Sequence, residues 1–124
     1  MINVLCIDNS ETIRKVVQDC VLDLGYSFYQ AENGKKGIEL ALKMDNLDLI
    51  ILDWNMPVLS GKESLKRLRS NEKFNDILIF VLIKIENKQY ALEALEMGAN
   101  MYMLKPFSVN NMQEKIKELM KNAE

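Results

Sequence analysis

The chain has 124 residues and a mass of 14.3 kDa, which is the size of one domain. Its 48% hydrophobic and 27% charged residues are close to the globular average, which excludes a disordered chain. It contains no histidine, which excludes Ser-His-Asp triads, Cys-His pairs and metal centres built on imidazole. The net charge of -2 argues against duplex DNA or an anionic membrane as the partner.

Five short apolar segments have the composition of β-strands. Segments 2–7, 47–52 and 77–83 are nearly unbroken aliphatic runs, as in strands of a parallel sheet that helices cover on both faces. Segments 26–31 and 100–104 are more polar, which is typical of edge strands.

The segments between the strands have the periodicity of amphipathic helices. The predicted helices cover approximately residues 13–24, 35–44, 61–70, 87–97 and 109–122. Gly25 and Gly98 are expected to end the first and fourth of them. In the fourth helix the apolar stripe comprises Ala91, Leu92, Ala94 and Leu95. Strict alternation of strands and helices predicts a doubly wound α/β sandwich.

The two cysteines, Cys6 and Cys20, lie among apolar residues, as buried free thiols in a reducing compartment do. The apolar runs are far shorter than the about 18 residues that a membrane span requires, and no signal-peptide pattern opens the chain. We therefore expect a soluble cytoplasmic protein.

Charged residues follow the predicted strands at their carboxyl ends, where ligands bind in doubly wound sheets. Asp8 follows the first strand, Asp53 the third and Lys105 the fifth. Two carboxylates suit Mg²⁺, and a lysine suits a phosphate oxygen. A carboxylate can also be the nucleophile that forms an aspartyl phosphate, and Asp53, after the central strand, is the best candidate. The alternative is that these are only strand-end acids and a capping lysine.

Three ordered motifs at these strand ends carry a resemblance to a known family. They are Val4-Leu5-Cys6-Ile7-Asp8-Asn9-Ser10, Asp53-Trp54-Asn55-Met56-Pro57 with Ser60-Gly61, and Gly98-Ala99 through Lys105-Pro106-Phe107. Essentially the whole chain resembles a response-regulator receiver domain of the CheY-like family. The resemblance implies a flavodoxin-like (βα)5 sandwich whose five-stranded parallel sheet has the order 2-1-3-4-5. It also implies a single receiver domain over 1–124 with no output domain.

The resemblance assigns roles to the residues at the strand ends. Asp53 would accept a phosphoryl group from a histidine kinase, and Lys105 would pair with that group. Asp8, Asn9, Asp53 and the backbone carbonyl of Asn55 would hold Mg²⁺. The protein would then be a regulator rather than an enzyme, with at most self-phosphorylation and self-dephosphorylation at Asp53.

The resemblance also implies how the signal leaves the domain. Tyr102 matches an aromatic switch residue, and the Lys105–Pro106 bond would be cis. The face built from the fourth helix, fifth strand and fifth helix would dock a protein target, with chemotaxis favoured by the Asp-Trp-Asn-Met-Pro motif. We expect a monomer or a weak dimer.

Asn9 departs from the family pattern, which has a second acid at this position. The site then holds two carboxylates rather than three, which predicts weaker Mg²⁺ binding than usual. Glu11 and Glu86 are the acids that could compensate.

Ile83 is a second departure, since it stands where the family has a Ser or Thr that bonds the phosphoryl group. The next residue, usually small, is Lys84, which could lean over the phosphate, obstruct the donor or be a solvated loop lysine. The usual relay from hydroxyl to Tyr102 cannot then operate. One alternative is therefore a pseudo-receiver that binds partners independently of phosphate. Another is a flavin carrier, disfavoured because the strand ends lack a glycine- and hydroxyl-rich phosphate loop.

Overall fold

The apolar segments form one five-stranded parallel sheet with helices on both faces. In the computed structural model, which describes residues 1–122, the strand order is β2-β1-β3-β4-β5. The strands are β1 (Asn3–Ile7), β2 (Ser27–Ala31), β3 (Leu49–Asp53), β4 (Leu78–Lys84) and β5 (Met101–Lys105). The helices are α1 (Glu11–Asp23), α2 (Gly34–Lys43), α3 (Gly61–Arg69), α4 (Ala91–Glu96) and α5 (Val109–Asn122). Short 3-10 helices cover Glu72–Phe74 and Ile85–Tyr90.

The position of each strand in the sheet follows its composition. The aliphatic strands β1, β3 and β4 occupy the interior, and the more polar β2 and β5 are the edges, which confirms the prediction. β1 pairs with both β2 and β3, so the strand order reverses there. The carboxyl ends of β1 and β3 therefore lie side by side at the point where such sheets bind ligands.

Side chains of successive strand residues enter two separate cores. One core lies between the sheet and α2, α3 and α4, and includes Ile7, Leu52 and Ile83. The other lies between the sheet and α1 and α5, and includes Cys6, which is buried and free like Cys20. This alternation decides on which side of the sheet each strand-end residue emerges.

The C-terminal end of α1 before Gly25 was predicted, whereas the helix begins at Glu11, two residues earlier than predicted. The Ser10 hydroxyl accepts a hydrogen bond from the Ile13 backbone N–H at 3.2 Å and so caps the helix, which begins just after Asp8. Gly25 follows the helix with a φ of +83°, a conformation that glycine adopts without strain. Of the helices in residues 1–122, none has the length and apolarity needed to cross a membrane.

The fourth helix is shorter than predicted. The range 87–97 contains part of the 3-10 helix Ile85–Tyr90 and then only the six residues of α4. Its apolar stripe is divided, because Ala91 and Ala94 are buried while Leu92 and Leu95 are 66% and 37% exposed. Small side chains let the helix lie close to the sheet, and the leucines face outward.

Candidate functional site

Three charged side chains meet at the carboxyl edge of the sheet. The Nζ of Lys105 lies 2.9 Å from Oδ1 of Asp53 and 3.1 Å from Oδ2 of Asp8. The carboxylates of Asp8 and Asp53 are buried, at 0% and 1% exposure respectively, and the lysine side chain is 13% exposed. The structure therefore brings together the three residues that the strand ends predicted.

Backbone groups fix the orientation of the two carboxylates. The Ser10 N–H donates to Oδ1 of Asp8 at 2.8 Å, and the Asn55 N–H donates to Oδ1 of Asp53 at 3.3 Å. Lys105 also donates to Oδ1 of Asp53, so both hydrogen bonds that the Asp53 carboxylate accepts within residues 1–122 fall on one oxygen. Its Oδ2 is left for another ligand or for bond formation.

The electrostatics of the cluster favour an added cation. Burial raises the pKa of Asp53, and the neighbouring Asp8 raises it further, although Lys105 opposes both. Burial lowers the pKa of Lys105, but the two carboxylates outweigh this and raise it overall. Lys105 is therefore a permanent cation between two acids, and the ionised cluster carries one excess negative charge.

The oxygen atoms at this edge fit a magnesium ion. Besides the two carboxylates, the side-chain oxygen of Asn55 is buried and has no hydrogen-bond partner within the described residues. A buried polar atom without a partner is costly, and a hard cation would satisfy it. The residues that would hold the ion are Asp8, Asp53 and Asn55. The sequence analysis predicted the backbone carbonyl of Asn55 as a ligand, which stays a prediction, and did not consider this side-chain oxygen.

The two acids that could compensate for Asn9 do not enlarge this set. Asn9 itself is exposed, and its role as a metal ligand stays a prediction. In the part of the chain that the structure describes, no three acidic or cysteine side chains form a group able to hold a metal ion. Glu11 and Glu86 therefore do not join Asp8 and Asp53.

The predicted switch residues lie around the site in different environments. Ile83 is completely buried in the core beside α3 and α4, and the following Lys84 is exposed. Tyr102 is 39% exposed on β5. The Lys105–Pro106 peptide bond is cis, as the resemblance implied.

The loop from β3 to α3 contains two features that shape the site. A Cβ on Gly61 would lie 2.3 Å from the Asp53 carbonyl oxygen and 2.4 Å from the Trp54 Cα, so only glycine lets α3 begin there. Val58 has a φ of 70°, which is unusual for a β-branched residue. The Ser60-Gly61 pair was visible in the sequence, whereas nothing in the sequence marked Val58.

Comparison with known proteins agrees with this geometry. Residues 4–117 match the family described as response regulator receiver domain. A chemotaxis protein CheY homolog of Campylobacter jejuni is 31% identical over 94% of this chain and 90% of that protein. Chemotaxis protein CheY1 of Helicobacter pylori is 32% identical over 90% of this chain and 91% of that protein.

Solved structures give the same result. The chemotaxis protein CheY4 of Vibrio cholerae superposes with a TM-score of 0.83 at 31% identity, covering 95% of this chain and 98% of that one. A Francisella response regulator receiver domain superposes with a TM-score of 0.86 at 27% identity, covering both chains completely. With these matches and the pair of buried acids bridged by Lys105, the chain belongs to the receiver domains of CheY-like response regulators in two-component signalling.

Proposed function

We propose that this receiver domain accepts a phosphoryl group on Asp53 from a histidine kinase and signals by docking to a protein target. The observation that carries the proposal is the arrangement of Asp53 at the end of the central strand β3. It is buried, and the hydrogen bonds from Lys105 and Asn55 occupy only one of its oxygens. We further propose a cytoplasmic regulator whose only chemistry is at Asp53, present as a monomer or weak dimer.

The proposed reaction needs little chemistry from the domain itself. An Asp53 oxygen forms a bond to phosphorus as the phosphorus–nitrogen bond of the donor's phosphohistidine breaks. The donor nitrogen keeps the electron pair, and Asp53 becomes an acyl phosphate. Lys105 offsets negative charge on the phosphoryl oxygens. Attack of water on phosphorus later releases inorganic phosphate and restores the carboxylate.

Magnesium is the proposed cofactor, since receiver domains of this family generally bind it at the phosphorylation site. When bound, Mg²⁺ supplies positive charge opposite the transferred phosphoryl oxygens. Asp8, Asp53 and Asn55 would hold it, and binding is proposed to be weaker than usual because residue 9 is an amide. Two observations support this: Asn9 is exposed, and the site has two buried carboxylates rather than three.

The proposed docking surface is the face that α4, β5 and α5 share. A groove of about 570 Å³ lies there, and its lining includes Leu95, Tyr102, Phe107 and Lys115. Leu92, on the same helix as Leu95, is 66% exposed. Exposed apolar groups in one groove are typical of protein-binding sites. The names of the relatives favour a target in chemotaxis or motility.

A phosphate-independent pseudo-receiver is the second candidate, and the burial of Ile83 favours it. The side chain fills the core at the end of β4 and offers no hydroxyl to a phosphoryl oxygen. The usual coupling between that hydroxyl and Tyr102 is then missing. Phosphorylation at Asp53 does not itself require the hydroxyl, so the proposal of a working phosphoacceptor stands first.

Titration with a phosphoryl mimic distinguishes these two candidates. Trp54 is the only tryptophan, directly follows Asp53 and is 6% exposed, so its fluorescence reports on the site. We expect Mg²⁺ followed by beryllofluoride to change this fluorescence in the wild type and not in Asp53→Ala. The absence of any response in the wild type would favour the pseudo-receiver.

A further inference from the structure

At the carboxyl ends of β1, β3, β4 and β5, four charged residues rather than three emerge from one side of the sheet. Each stands two positions after a residue that packs in the core beneath α1 and α5, and so on the same face of its strand. These core residues are Cys6, Ile51, Leu82 and Met103, and the charged residues after them are Asp8, Asp53, Lys84 and Lys105. Lys84 is the member of this set to which the proposed reaction gives no role.

The register of the sheet places Lys84 within reach of the phosphoacceptor. Lys84 pairs with Lys105 across β4 and β5, so the two residues stand at the same height on the sheet. The backbone of Lys105 lies two strands away from Asp53, and its Nζ nevertheless contacts Oδ1 of Asp53 at 2.9 Å. The backbone of Lys84 lies only one strand away from Asp53, which is about 5 Å closer across the sheet than the backbone of Lys105.

The surroundings of Lys84 leave its charge available. Its side chain is exposed, and it makes no ion pair or side-chain hydrogen bond with any part of the chain that the structure describes. The buried cluster of two acids and Lys105 has one excess negative charge. Lys84 would balance it. A phosphoryl group on Asp53 would carry about −1.5 to −2 charges in place of the single charge of the carboxylate, and so would add about −0.5 to −1 to this edge.

We propose that Lys84 is a second phosphoryl-binding cation, which contacts the oxygens of the group on Asp53 in place of the missing hydroxyl at Ile83. This inference rests on the proposed function, because it concerns the same phosphorylated aspartate. Before a phosphoryl group is bound, the same lysine repels a metal ion at Asp8 and Asp53. Afterwards it attracts the phosphoryl oxygens. The two effects have opposite signs, which a merely structural role would not produce.

The test measures both affinities by Trp54 fluorescence in the wild type and in Lys84→Ala. At saturating Mg²⁺, we expect beryllofluoride to bind about fivefold more weakly to Lys84→Ala. Without beryllofluoride, Mg²⁺ should bind the same variant about threefold more tightly, because a nearby cation has been removed. Lys84→Arg should retain most of the wild-type beryllofluoride affinity, because it keeps the charge.

Lys88→Ala is the matched control, since Lys88 is also exposed, lies in the neighbouring 3-10 helix and changes the net charge equally. It should leave both affinities unchanged. Equal beryllofluoride affinity in Lys84→Ala and the wild type would overturn this inference but not the proposed function. Weaker binding of both Mg²⁺ and beryllofluoride by Lys84→Ala would do the same. A wild type that binds no beryllofluoride would overturn the proposed function as well.

Discussion

Burial of Asp53 raises the pKa of its carboxyl group and destabilises the folded protein at neutral pH. Its pKa lies above the ordinary value of 3.8, first because of burial and then because of Asp8. The folded protein therefore binds this proton more tightly than the unfolded chain does, and stability falls as the pH rises through that pKa. Asp53→Asn should raise the free energy of unfolding by roughly 1 kcal/mol at neutral pH.

Urea denaturation at several pH values measures this effect. The gain in Asp53→Asn should shrink as the pH falls through the raised pKa and vanish below 3.8, where the carboxyl is protonated in both states. A variant that is less stable than the wild type at neutral pH, or equally stabilised in acid, would contradict the argument.

Asn9 is the residue from which we predict weaker magnesium binding than is usual in the family. Asn9→Asp adds a carboxylate beside two existing acids, so Mg²⁺ affinity should rise on the order of tenfold. Trp54 fluorescence measures it. Asn75→Asp makes the same chemical change at an exposed position before β4, at the opposite edge of the sheet, and should leave the affinity unchanged. Equal affinities in Asn9→Asp and the wild type would refute this explanation.

At the scale of elements, the loop between β3 and α3 contains a strained turn. The Leu59 N–H donates to the Pro57 carbonyl at 2.8 Å, which closes a three-residue turn with Val58 at its centre. A φ of 70° costs a β-branched residue about 1–2 kcal/mol, and at 77% exposure Val58 gains little from burial. Asn tolerates positive φ, so Val58→Asn should raise the free energy of unfolding by about 1 kcal/mol.

Thermal denaturation compares this variant with Val109→Asn, which changes an exposed valine whose φ is not positive. Val109→Asn should give no gain. If Val58→Asn is no more stable than the wild type, then valine at position 58 does not strain the turn.

The contrast between α1 and α4 shows which helices could be predicted from periodicity. In α1 the apolar spacing matches the buried face, which includes Val17, Cys20 and Val21. In α4 the same kind of spacing mixes buried alanines with the exposed Leu92 and Leu95. Spacing does not distinguish leucines that form a core from leucines that form a surface, so the short length of α4 and its outward face were not predictable.

For the whole molecule, the position of the site was more predictable than its details. Alternating strands and helices, with two acids and a lysine at the strand ends, indicated that Asp8, Asp53 and Lys105 form the site, because parallel strands bring those ends together. The strand order came from the resemblance, since many orders satisfy the same pattern. The buried Asn55 oxygen and the register of Lys84 with Lys105 depend on loop conformation and pairing, which no local pattern encodes.

The central claim is that Asp53 accepts a phosphoryl group, and the mass of the intact protein tests it most directly. The wild type and Asp53→Asn are incubated with Mg²⁺ and acetyl phosphate, a donor that replaces the kinase. The account predicts that the wild type gains the mass of one phosphoryl group and that Asp53→Asn gains none. An unmodified wild type, or equal modification of the two proteins, would contradict it.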